Sequence, residues 1–122
     1  AVKNIPVLRM ITEPLEEVKR RARLLARRMR AYKLPAKIEV KPCESQIGGG
    51  SLPLERIPSM AVVLRPEKIS VTELEERMRR LPVPIIPRTA NDTIILDART
   101  LKQSDIRLAA DQLKEYEVLE KR

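Results

Sequence analysis

The chain has 122 residues, enough for one domain with one modest core. Its 43% hydrophobic and 34% charged residues argue against disorder, and no apolar run approaches the ~20 residues a membrane helix needs. The 25 Lys and Arg against 17 Asp and Glu leave a net charge of +8, which favours polyanionic partners such as RNA. There is no His, and Cys43 is the only cysteine, so neither a metal centre nor an internal disulfide is expected. With Tyr32 and Tyr116 as the only aromatic residues, a module that stacks bases on aromatic rings is disfavoured. No basic and apolar leader is visible at the start, so a reducing, cytoplasmic setting is expected.

Residues 1 to 11 read as an extended apolar lead-in containing Ile5, Val7, Leu8, Met10 and Ile11. Thr12 is the expected N-cap of a first helix, with Pro14 in its first turn. Leu15, Val18, Ala22, Leu25, Met29 and Tyr32 recur at helical spacing. Lys19, Arg20, Arg21, Arg23, Arg27, Arg28, Arg30 and Lys33 lie between them and predict a basic outer face. Pro35 ends the helix, because the residue before a proline is pushed out of helical geometry.

Ile38, Val40 and Pro42 alternate with Lys37, Glu39 and Lys41, the period of a half-buried strand over 37–43. A loop is expected from Glu44 to Pro58, and a buried strand at Met60–Leu64, closed by Pro66. Ser70 and Glu73 form a capping-box pattern ahead of the stripe Val71, Leu74, Met78 and Leu81. Val83–Pro87 and Thr93–Asp97 read as two strands joined at Ala90, Asn91 and Asp92. Ser104 is the expected cap of a last helix with the stripe Ile106, Ala109, Ala110, Leu113 and Tyr116. The fold class is therefore α+β, with helices packed on one face of a small, mainly antiparallel sheet, as one domain over residues 1–122.

The loop carries the most specific signal. It reads Ser45-Gln46-Ile47-Gly48-Gly49-Gly50-Ser51-Leu52-Pro53, followed by Ile57-Pro58-Ser59. This string resembles the corresponding stretch of the bacterial selenocysteine synthases, the L-seryl-tRNA(Sec) selenium transferases. Ile5-Pro6-Val7-Leu8-Arg9-Met10-Ile11-Thr12 is similar to the segment where that family's chain leaves its catalytic domain. Leu81-Pro82-Val83-Pro84-Ile85-Ile86-Pro87-Arg88, with Ile94 to Thr100, is similar to its terminal hairpin. Pro87 stands where the family has Gly, Asn91-Asp92 where it has Asp-Gly, and Ala98 where it has Leu.

The resemblance implies the C-terminal small domain of a fold-type-I pyridoxal-phosphate (PLP) enzyme. In that family the lysine that binds PLP lies upstream of the part matched here, so the catalytic domain would be absent from this chain and the chain alone would be inactive. The implied reaction eliminates water from seryl-tRNA(Sec) and adds selenium from selenophosphate, with PLP as the electron sink. A large homo-oligomer is implied as well.

Candidate site residues follow. Ser45, Gln46, Gly48, Gly49, Gly50 and Ser51 form a loop whose backbone can approach substrate or cofactor closely. Arg88 and Arg99 are candidate anion contacts, with Asp97 between them as a structural partner. Arg20, Arg23, Arg27 and Arg30 are candidate RNA-facing residues. Cys43 reads as a small buried or half-buried residue without a His to activate it. Three alternatives remain: a free-standing basic RNA-binding module, a subunit-assembly module using residues 1 to 11, and the small domain of a related PLP enzyme with another substrate.

Overall fold

The computed structural model describes residues 13–47 and 55–121. In chain order these form α1 (Leu15–Ala31), β1 (Ala36–Ile47), β2 (Glu55–Pro66), α2 (Val71–Arg79), β3 (Arg88–Ala90), β4 (Thr93–Asp97), a 3₁₀ turn (Ala98–Thr100) and α3 (Gln103–Glu115). The strands make a four-stranded antiparallel sheet in the order β1-β2-β4-β3. The expected α+β architecture, with helices packed against an antiparallel sheet, is the one observed.

The strand period explains how the helices meet the sheet. Val62 and Leu64 on β2 and Ile94 and Leu96 on β4 share one face. They are buried against Val18, Leu25 and Met29 of α1, Leu74 and Met78 of α2, and Ile106 and Leu113 of α3. Ile38, Val40 and Met60 extend this apolar face toward the sheet edge. Each fully buried large apolar side chain contributes about 1.5–3 kcal/mol, and these residues form one continuous core.

The helix ends depart from expectation in instructive ways. Thr12 lies outside the described residues, and Pro14 itself occupies the N-cap of α1, with Glu16 and Glu17 facing the positive end of the helix dipole. Lys33 closes the helix in the left-handed region at φ 55° ahead of Pro35. Ser70 caps α2 through the Glu73 amide at 3.1 Å, but only half of the capping box forms, because the Glu73 carboxylate pairs with Arg77. Helix α3 starts one residue before the expected cap. Lys102 is its N-cap without a side-chain bond, and Ser104 sits exposed in the first turn.

Two strand expectations need correction. Glu44–Ile47 and Glu55–Pro58 are paired strand rather than loop, in unbroken register from Ala36↔Pro66 to Ile47↔Glu55. Val83–Pro87 is not a strand. Pro82, Pro84 and Pro87 cannot donate to a ladder, and the buried Gln112 side chain serves Val83 instead. Val83 N donates to Gln112 Oε1 at 2.9 Å, and Gln112 Nε2 donates to Val83 O at 3.0 Å. The strand that pairs with β4 is only Arg88–Ala90. Asn91 and Asp92 turn the chain with φ of 51° and 61°, the type I′ geometry suited to a two-residue hairpin.

Candidate functional site

The ladder between β2 and β4 ends at Ala61↔Asp97. The β1–β2 pairing continues past this point to Ile47↔Glu55, forming an arm. Gly48, Gly49, Gly50 and Ser51 lie outside the described residues. Gln46 belongs to the arm's backbone, paired with Arg56.

The arm is tied to the sheet by a knot of polar groups around Asp97. By strand register, Cys43, Ser59, Ala61 and Asp97 lie on the face opposite the helices. Ser59 Oγ donates to Asp97 Oδ1 at 2.5 Å, and the Arg99 amide donates to the same oxygen at 3.0 Å. Ser45 Oγ donates to Asp97 Oδ2. Arg88 Nη2 lies 3.7 Å from Oδ2, and its Nη1 donates to Glu44 O at 3.0 Å. Ser45, Ser59 and Arg99 are almost fully buried, at 1%, 2% and 3% exposed, so each of their polar groups needs a partner inside the protein.

The two candidate arginines differ in situation. Arg99 is buried, with Nε and Nη2 donating to Pro58 O at 3.1 and 2.6 Å and Nη1 donating to Glu13 O at 2.8 Å. It joins the arm, the 3₁₀ turn and the approach to α1. Arg88 is exposed on the edge strand, and both of its Nη atoms face the knot, Nη1 on Glu44 O and Nη2 near Asp97 Oδ2.

Cys43 pairs across the strands with Ser59 and is half-buried. Burial pushes its thiol above the ordinary value, the nearby Asp97 carboxylate adds to the rise, and Arg88 opposes it. Such a thiol is a poor nucleophile near neutral pH. No group of three or more His, Cys, Asp or Glu able to hold a metal occurs among the described residues. No lysine takes part in the knot among the described residues, so the knot offers no amine for a Schiff base.

The basic face of α1 is less uniform than its sequence suggests. Arg21 is buried: the helical period places it beside Val18, Ala22 and Leu25. Its guanidinium engages the Glu13 carboxylate with both Nη atoms and donates to Ala98 O at 3.0 Å. Arg28 pairs with Asp111 at 3.1 Å. Of the candidate RNA-facing residues, Arg20 binds Glu17 and Gln103, and Arg30 donates to Ile38 O at 2.8 Å. Arg23 and Arg27 are exposed, and no polar partner engages either side chain among the described residues.

A concavity of about 820 Å³ is lined by Lys68, Ser70, Arg77, Arg80, Tyr116 and Lys121 among others. Lys68, Arg77 and Arg80 are paired with Glu120, Glu73 and Glu76, so most of its positive charge is already compensated. A second groove of about 410 Å³ includes the exposed apolar residues Val83, Ile86 and Leu108.

Two comparisons bear on this arrangement. The family model described as L-seryl-tRNA selenium transferase matches residues 1–102. An L-seryl-tRNA(Sec) selenium transferase of Desulfotalea psychrophila is 39% identical over 117 residues, covering 95% of this chain and 25% of that protein. The proteins of the same name from Clostridium botulinum (strain Hall) and Alkaliphilus metalliredigens are 38% and 32% identical over 114 residues, covering 93% of this chain and 25% and 24% of theirs. The chain thus spans about a quarter of the length of these curated relatives.

Proposed function

The chain belongs to the L-seryl-tRNA selenium transferase family, and from that premise we propose that it is the C-terminal small domain of a transferase converting seryl-tRNA(Sec) to selenocysteinyl-tRNA(Sec) with selenophosphate. PLP, which supplies the electron sink for such chemistry, would be held by a part of the enzyme that this chain does not span. The whole enzyme would be a cytoplasmic homo-oligomer. Among the described residues, no helix is long and apolar enough to cross a membrane.

The observation that carries this reading is the arm. A long strand pair leaves the sheet, is pinned at its root by buried hydrogen bonds, and is followed in the sequence, directly after Ile47, by three successive glycines. Glycines there let backbone amides approach a phosphate, a cofactor or the esterified serine without a Cβ in the way. Arg88, exposed at the root, would offer an anion the guanidinium donors that the knot does not use. The serine of the substrate is esterified, so that anion would be a phosphate rather than a free amino-acid carboxylate.

The test replaces Gly49 by Val in a full-length family member at the equivalent position. The expected result is at least a tenfold loss of selenocysteinyl-tRNA formation, with tRNA binding and assembly size unchanged. Wild-type turnover in the variant would overturn the reading.

A second role is favoured by Arg23 and Arg27, exposed on α1 and without a polar partner among the described residues: binding of the tRNA phosphate backbone. With one phosphate neutralised by each arginine, the double change Arg23→Gln and Arg27→Gln should lower the slope of log affinity against log salt by about 1.4–1.8. An unchanged slope would remove α1 from the tRNA interface.

A further inference from the structure

We propose that Asp97 is a positioning residue, a latch that sets the angle at which the glycine-bearing arm leaves the sheet. The need for a latch follows from the topology. Beyond Ala61↔Asp97 the arm has no β4 neighbour, and an isolated two-stranded hairpin is only marginally ordered in water. Strand pairing therefore holds the two halves of the arm to each other without fixing their direction.

The polar ties report that direction. β1 and β3 are the two edges of the sheet, three strand spacings apart, which is roughly 14 Å in a flat sheet. Arg88 on β3 nevertheless donates to Glu44 O on β1 at 3.0 Å. The arm bends across the end of β4 to make this contact. At the inside of the bend sits Asp97, and its two oxygens divide the work. Oδ1 takes the Arg99 amide and Ser59, which fixes the carboxylate to the 3₁₀ turn and to β2. Oδ2 takes Ser45 from β1 and faces Arg88. A change at Ser45 therefore loosens the arm while leaving the anchoring of Asp97 intact.

The catalytic half of this inference rests on the reading that the glycine tip faces the chemistry, and the experiment separates the two. Hydrogen exchange is measured on the 122-residue chain carrying Ser45→Ala, Ser59→Ala or Asp97→Asn, and kcat and KM on a full-length family member with the equivalent changes. For Ser45→Ala, amides of 42–47 and 55–59 are expected to exchange about 10–100 times faster, while 61–66 and 93–97 keep their protection. Asp97→Asn, which retains one carbonyl acceptor, should be intermediate between wild type and Asp97→Ala where the latter folds. In the enzyme, kcat should fall at least tenfold for Ser45→Ala with KM for the tRNA unchanged.

Arm exchange that stays at the wild-type rate in both Ser45→Ala and Asp97→Asn overturns the latch. So does a uniform loss of protection across the sheet in Ser45→Ala, which would make the bond a general stabiliser. Faster arm exchange with unaltered kcat leaves the latch standing and overturns the placement of the tip at the active site.

Discussion

Replacing Arg99 asks whether this arginine serves the fold or a ligand. Arg99→Met keeps the length and apolar stem of the side chain and removes the guanidinium. Pro58 O loses two donors and Glu13 O loses one, each in a part-buried setting. Each stranded acceptor costs about 1–3 kcal/mol, so the sum for the two carbonyls is about 3–5 kcal/mol. Arg99→Lys keeps the charge but offers one ammonium in place of a planar fork, and should lose about 1–3 kcal/mol. An unfolding entropy of about 2.1 cal/mol/K per residue converts each 1 kcal/mol into about 4 °C for this length. Calorimetry of the chain should then show Tm lowered by about 12–20 °C for Arg99→Met and about 4–12 °C for Arg99→Lys. A Tm within about 1 °C of wild type for both would refute the reasoning and return Arg99 to the candidates for ligand binding.

Other outcomes follow from single features. The Cys43 thiol should titrate above the ordinary value of about 8.5 in a pH profile of alkylation. Arg88→Gln should push that midpoint higher, because Arg88 opposes the rise, and a fall would contradict the placement of Arg88 beside the thiol. Asp92→Gly should stabilise the chain by about 0.5–1 kcal/mol, since Asp92 sits at φ 61°, where a Cβ is unfavourable. Chemical denaturation reads this directly, and a loss of stability would show that the Asp92 side chain has a compensating role. Asp111 is held below the usual carboxylate range, first by the Tyr32 hydroxyl and then by Arg28. Its contribution is present above an unfolded pKa of about 3.9 and disappears as pH falls through the lowered folded value. The stability gap between wild type and Asp111→Asn should therefore be full near pH 6 and close below pH 4, and a gap independent of pH would exclude the linkage.

Much of the fold was legible where one period dominated. Leu25 and Met29, or Leu74 and Met78, recur at helical spacing, and their burial follows from it. The arm was not legible, because Glu44, Ser45 and Gln46 break the alternation that marked Ile38 to Pro42. The prolines misled as well. Pro42 lies on the edge strand, and Pro58 lies in the part of β2 that has no β4 neighbour. Arg21 shows the reverse error: among so many basic neighbours nothing in its type marked it as buried, and only its phase with Val18 and Ala22 did so. Asp97 was readable as a structural partner of the two arginines, and Ser45 as a site candidate. Ser59 was missed because its importance lies in a cross-strand register that one sequence does not display. Gln112 was missed for a similar reason, since its role depends on a proline-rich segment that lacks a strand partner.

The unbroken pairing of β1 with β2 makes the arm a ruler. Each matched pair of residues, one from each strand, adds about 3.3 Å of reach and turns the next side chains to the other face. Removing two matched pairs would draw the end of the paired strands back by about 6.6 Å and keep its facing, whereas removing one pair would draw it back by half as much and present the opposite face. The reach and facing of the last matched pair, Ile47↔Glu55, are thus set in whole steps, and strand length in this arm is a variable that selection or an engineer can turn without touching the core.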